Sequence, residues 1–236
     1  GGAVRLPNGR PGSCPSALAQ GSSSLTPEGT VHDPASERDH QLAVSVWGAA
    51  QEPQRTVELT LSGRTAHELP HLAGADGVLV VNDRDLDFAE IVVDQPTRED
   101  QLARLSSIPD PMARAVVWSA LWTDVRQARL DPEDFVAAVI EHLFVESDEA
   151  VFTTVLGQAE EALESYLPAR RRPQIRGRLM ERVIGQLQAA EPGSDRQRSL
   201  ASSLARLSHR DGAANGKHQF FHHDSPPSHE LMTRRI

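Results

Sequence analysis

Between Val78 and Asp94 the chain changes its period. Val78-Leu79-Val80-Val81 is a continuous apolar run of strand length, and Ala89-Glu90-Ile91-Val92-Val93 is another. From Thr97 onward, apolar residues recur instead at intervals of three and four. A period near two buries one face of a sheet, and a period near 3.6 buries one stripe of a helix. A chain that switches once from the first to the second must set a sheet beside a helical layer, so that each covers the other's apolar face.

The strand signals begin at residue 41. Leu42, Val44 and Val46 alternate with smaller or polar neighbours, and Val57, Leu59 and Leu61 repeat the pattern before a turn at Ser62-Gly63. Residues 41–94 therefore read as a small β-sandwich. Four short strands make a sheet system too small to be stable alone, so it should lean on a neighbour. Residues 1–40 are rich in Gly, Pro, Ser and charge without either period, and read as an irregular, disordered lead-in.

Residues 95–208 read as helices with clear start signals. Thr97 with Asp100 opens the first, Asp110-Pro111 the second and Asp131-Pro132 the third; Ser147, and Ser194 with Gln197, open later ones. The stripes agree: Phe135, Val136, Val139, Ile140 and Leu143; Val151, Val155, Ala159, Ala162, Leu163 and Tyr166; Ile175, Leu179, Val183 and Leu187; Leu200, Leu204 and Leu207. The segment from Pro111 to Gln127 is apolar almost all round and should be central, with Trp118 and Trp122 enclosed. Gly157 and the two tryptophans read as packing features. Short connections imply antiparallel neighbours, stacked as HEAT- or armadillo-like α-hairpins, although no strict repeat is visible. Residues 209–236 break the pattern and read as a disordered, His-rich tail. The fold class is α+β, mostly α.

Composition excludes several roles. A net charge of −9 argues against a nucleic-acid partner, which needs clustered Lys and Arg. No run of about 18 apolar residues suggests a membrane span, and residues 1–30 lack the apolar region of a signal peptide. The single cysteine, Cys14, cannot form an intrachain disulfide and suits a reducing, cytoplasmic setting. Beginning with Gly1-Gly2, the chain reads as a fragment of a longer product.

Three segments in order, Val81-Asn82-Asp83 with Leu86 and Asp94, then Ala113 to Trp122, then Ala190 to Gln197, resemble the aminopeptidase N family of zinc metallopeptidases, over about residues 40–208. The last segment is similar to the actinobacterial branch. The family's Asn-Asp strand usually continues with an aromatic and a basic residue; Phe88 fits and Glu90 departs. The resemblance implies the last two parts of such an enzyme, its small β-sandwich and the start of its helical bowl, without the zinc-bearing catalytic domain. It also implies the partners: the catalytic domain of the same peptidase and, through it, a peptide substrate. The complete enzyme removes N-terminal amino acids from peptides, and zinc is expected only there.

One motif invites a different reading. His67-Glu68-Leu69-Pro70-His71 fits H-E-x-x-H, and Glu90 follows His71 after eighteen residues, where this family places its third zinc ligand. His67, His71 and Glu90 would bind the ion and Glu68 would activate water. That chemistry needs a helix, on which positions i and i+4 share a face. Pro70 removes a donor and disfavours helix at Leu69, and the flanks read as strands. The segment is therefore refused as a metal site, and no catalytic, cofactor or metal residue is assigned in this chain. His209, His218, His222, His223 and His229 match no closed ligand pattern. Arg170, Arg171, Arg172, Arg176, Arg178 and Arg182 read first as a solvated helix start and second as a lure for a peptide carboxylate. Two rivals to the accessory reading remain: a free-standing helical-repeat interaction module, and a minimal zinc hydrolase built on His67, His71 and Glu90.

Overall fold

The computed structural model of the chain describes residues 3–5, 24–28, 39–63, 66–69, 72 and 75–219. The fold is α+β and mostly α. The described strands are β1 (Ala3–Arg5), β2 (Ser24–Glu28), β3 (His40–Trp47), β4 (Arg55–Leu61), β5 (His67–Glu68), β6 (Val78–Asp83) and β7 (Glu90–Val92). They form two sheets, one ordered β5-β2-β1-β7 and the other β4-β3-β6. In the first, β1 runs antiparallel to β2 and parallel to β7.

Two of these strands lie inside the stretch expected to be irregular. Val4 and Leu25 are fully buried in the sandwich core. The expectation failed because β1 and β2 are short segments whose stability comes from cross-strand partners distant in sequence, so no local period marks them. The other end also differs. The last helix runs on to Gln219, past the boundary expected at residue 208. The remainder of the tail lies outside the described residues.

The three-stranded sheet is the middle layer. Leu42, Val44 and Val46 of β3 and Leu79 and Val81 of β6 face the other sheet. Trp47, Val78 and Val80 face the helices. Burial on both faces explains why β6 reads as an unbroken apolar run while β4, which leaves Glu58 and Thr60 exposed, alternates. Beside β6 the open edge is capped by helical side chains: Gln101 Nε2 donates to Leu79 O at 2.8 Å and Arg104 Nη2 to Gly77 O at 3.0 Å. Gly77 has no room for a side chain, since a Cβ there would sit 2.4 Å from Trp47 O.

Six α-helices follow among the described residues: α1 (Gln95–Arg104), α2 (Pro111–Arg126), α3 (Pro132–His142), α4 (Glu149–Glu161), α5 (Arg172–Ala189) and α6 (Asp195–Gln219). Aspartates open the first four. Asp94 accepts from Thr97 N at 3.1 Å, Asp110 from Ala113 N at 3.0 Å and Asp131 from Glu133 N at 2.8 Å. Asp148 accepts from Ala150 N and Val151 N at 2.9 Å. Thr97 and Ser147 are thus not the caps. A carboxylate three residues before Thr97, and another just after Ser147, outcompete the hydroxyls for the free N–H groups. Ser194 does cap α6, accepting from Gln197 N at 3.1 Å, and Gln197 Oε1 reaches back to Gly193 N at 2.8 Å.

The helical core is built around α2. Trp118 meets Phe135 edge-on at 5.9 Å and Trp122 meets it at 5.5 Å. Both tryptophans are buried, as is most of each stripe. Tyr166 departs: it stands edge-on to Trp122 at 5.7 Å but is 37% exposed, because it closes a π-helical turn (Ala162–Tyr166) that swings the stripe outward. Gly157 also departs, since a Cβ there would meet nothing within 4 Å. Its presence answers no packing need. Arg114 is held beneath the core, donating to Glu146 at 2.8 and 2.7 Å and to the carbonyls of Ile108 and Pro109.

Candidate functional site

The H-E-x-x-H segment begins as strand, not helix. His67 and Glu68 form β5, paired with Leu25 and Ser24 of β2. Pro70 and His71 lie outside the described residues. Glu90 opens β7, at the opposite edge of the same four-stranded sheet. Three strand spacings, about 14 Å, separate the two edges, whereas two zinc ligands must each lie about 2 Å from one ion. Glu90 is moreover committed to Arg129 Nη2, 2.6 Å away. His67 and Glu90 thus stand too far apart to share one ion. No group of three or more His, Cys, Asp or Glu among the described residues is placed to hold a metal ion.

The arginine cluster is largely taken up within the chain. Arg171 pairs with Glu133 and stands 3.6 Å from Asp131. Arg172 donates to Leu167 O at 2.9 Å, Arg176 to Glu164 at 2.6 Å, and Arg182 lies over the Phe144 ring at 5.0 Å. The side chains of the five tail histidines lie outside the described residues.

The distinctive local geometry is a loop and a cleft that sequence reasoning did not single out as a site. β6 ends in a bulge: Ala43 of β3 faces Asp83 and Val44 faces Val81, leaving Asn82 unpaired at φ 62°. Arg84 and Asp85 follow at φ 71° and 52°. Three non-glycine residues in this region cost on the order of 1 kcal/mol each and persist only where the surroundings over-determine them. Here they do. Asn82 Nδ2 donates to Asp87 O at 2.8 Å, and Asp87 N donates to Asn82 Oδ1 at 3.3 Å. The buried His40 holds Asp87 from the far side, Nδ1 to Oδ2 at 2.8 Å. Burial works to raise the Asp87 carboxyl, but the hydrogen bond and charge of His40, with backbone N–H groups of Phe88 and Gln41, outweigh it and hold it below its ordinary value.

Beyond this brace the loop carries large apolar groups into solvent. Leu86 is 51% exposed and Phe88 82%. The loop faces α2 across a cleft of about 430 Å³, lined on the helix side by Met112, Ala115, Val116, Ser119, Thr123 and Arg126. These positions form one helical stripe at intervals of three and four. α2 thus has two unlike faces. Val117, Trp118, Leu121, Trp122 and Val125 enter the core, while the second face is mixed: Met112 is 52% exposed, Ser119, Thr123 and Arg126 are polar, and Val116 is partly buried against the helical core. The all-round apolarity of Pro111 to Gln127 was the signal that could have located the cleft. A second anchor fixes the base of the loop: Arg129 bridges Glu90 and the buried Asp124 at 2.6 and 2.7 Å, and Arg98 takes the other oxygen of Asp124 at 2.7 Å while donating to Val93 O at 3.0 Å.

A two-sheet sandwich whose edge strand β6 doubles as the floor of a helical layer, joined by an aspartate-capped helix directly after the last described strand, defines an α+β unit. The family model for the ERAP1-like C-terminal domain matches residues 78–232, and the chain belongs to that family. It is also 29% identical to aminopeptidase N of Streptomyces lividans over 174 residues, which cover 71% of this chain and 20% of that protein. The matched segment thus spans about one fifth of the curated relative. The family match begins at β6, so the family unit includes the strand that supplies Val78 and Val80 to the helical core. No helix among the described residues is long and apolar enough to cross a membrane.

Proposed function

We propose that this chain is the accessory C-terminal portion of an aminopeptidase N type zinc peptidase, and that it closes the peptide cavity of the complete enzyme without performing the reaction itself. The family match across the strand-to-helix junction carries the reading. Zinc and the groups that act on it belong to the catalytic part, because His67 and Glu90 stand at opposite edges of one sheet. The complete enzyme removes N-terminal amino acids from peptides, and the partners of this portion are the catalytic part and, through the cavity, the peptide. The contacts of α3 with α4 and of α5 with α6 support our further reading that the helices stack as antiparallel hairpins in the manner of HEAT repeats, a wall suited to that role. The single cysteine fits a reducing, cytoplasmic setting.

The test is a chimera in which this chain replaces the matched segment of the Streptomyces lividans enzyme. Hydrolysis of an aminoacyl-nitroanilide is expected from the chimera and none from the isolated chain. A chimera that folds, by circular dichroism, yet hydrolyses nothing overturns the reading. So does hydrolysis by the isolated chain.

A further inference from the structure

We propose that a pocket beside the junction of sandwich and helices holds an organic cation of side-chain size, bearing a guanidinium or ammonium group. The pocket lies between the β3–β4 connection, the end of β6 and the start of α2, and measures about 300 Å³. Asp83 carries the proposal. It lines the pocket yet is only 2% exposed. Its Oδ2 accepts from Trp47 Nε1 at 3.2 Å, while Oδ1, also buried, has no hydrogen-bond partner. A carboxylate oxygen removed from water without a donor is costly. Where a native fold keeps one beside a pocket, a donor from outside the chain is the expected partner.

The rest of the lining selects the charge and kind of that donor. Glu52 and Asp110 add two more carboxylates. Arg84 is the one cation in the lining, and it is paired with Glu58, 3.0 Å away. The N-terminus of α2 also meets the pocket and would favour an anion, but Asp110 already accepts there from Ala113 N at 3.0 Å. Pro53, Pro109 and Pro111 have no N–H to offer, so their backbone contributes acceptors only. That setting suits a ligand which only donates, as guanidinium and ammonium groups do. Trp47 adds an indole, to which organic cations are drawn. A bare metal ion fits less well, since no three acidic, cysteine or histidine side chains among the described residues are placed to ligate one. The site is complete within this chain and does not depend on the accessory role.

The test titrates the chain with N-acetylarginine amide, N-acetyllysine amide and N-acetylcitrulline amide, the last a neutral match for the first, at constant chloride. The readout is the Trp47 indole N–H signal in a proton–nitrogen NMR spectrum, identified by its loss in Trp47→Phe. This N–H donates to Asp83 and so senses a charge placed beside it. A saturable shift is expected with the arginine or the lysine amide and none with the citrulline amide, and the tighter of the two tells guanidinium from ammonium. Asp83→Asn keeps the shape of the side chain and should weaken binding about tenfold or more, the scale of a lost charged hydrogen bond. Glu52→Lys, at an exposed position, should also weaken it while circular dichroism stays unchanged, and it decides the matter if Asp83→Asn does not fold. No saturable shift with either cation, an equal response to the citrulline amide, or unchanged affinity in the folded variants overturns the proposal. So does a response to magnesium or calcium chloride alone, which would make the occupant a metal ion.

Discussion

Gly157 lies within α4 with open space where a Cβ would point, whereas Gly77 lies against the backbone of Trp47. The same substitution should therefore act in opposite directions at the two sites. Gly157→Ala should raise stability by about 0.5–1 kcal/mol, because it restrains the unfolded chain without meeting anything in the folded one. Gly77→Ala should lower it, because β3 must move to admit the methyl group. Urea midpoints of the two variants, read against wild type, check both. Trp118 fills the centre of the helical core, and Trp118→Ala should cost about 3–5 kcal/mol, in the range for emptying a buried aromatic site. A loss under about 1 kcal/mol, typical of surface positions, would contradict the placement of α2. At this scale the sequence was legible where burial alone decides, as at Trp118 and Phe135. It was not legible at Tyr166, where a π-turn alters the phase of the stripe, or at Gly157, where nothing in the surroundings asks for glycine.

Among the elements, helix starts were readable because an Asp-Pro pair has few other uses, and Asp110 and Asp131 cap as read. Strands β1 and β2 were not readable, since three to five residues paired with segments far away in sequence leave no pattern of their own. The turn from α3 into α4 is governed by Glu146. Burial tends to raise its carboxyl, but the Arg114 guanidinium and the N–H groups of Ser147 and Asp148 outweigh this and hold it below the usual carboxylate range. A carboxyl lowered on folding contributes stability that is present above its unfolded value and is lost as pH falls through the folded one. Glu146→Gln should thus be clearly less stable than wild type near about pH 6, and the gap should narrow as the pH approaches about 3. Denaturant midpoints of both proteins across that range are the measurement, and a gap independent of pH would remove Glu146 from its assigned part.

For the molecule as a whole, the decisive join is Asp124, a buried carboxylate shared by two arginines that reach the end of the sheet. Asp124→Ala leaves Arg98 and Arg129 without their partner and should cost about 3–5 kcal/mol, the range for breaking a buried pair from one side. Because the ion pairs tie the sandwich to the helices, calorimetry of the wild type should show one transition, and that of the variant a broader one or two. The general plan of sheet then helices was legible from the change of period at residue 78. The cleft was not, because it depends on a bulge that sets the Phe88 loop opposite Met112, a geometry no periodicity encodes. His67 and Glu90 show a related point: spacing along the chain says nothing of which edge of a sheet a residue will occupy.

The parallel alliance of β1 with β7 sets a timetable. Ala3 waits for Glu90, and between them the chain must lay down every other described strand. The helices that follow close through contacts near in sequence and should form quickly, while a pairing of such long range forms slowly. On a ribosome β1 emerges before its partner β7 and is then among the last of these strands to find its place. Until it does, β7 is an open edge immediately before the helices, and the newborn chain is at its most adhesive there.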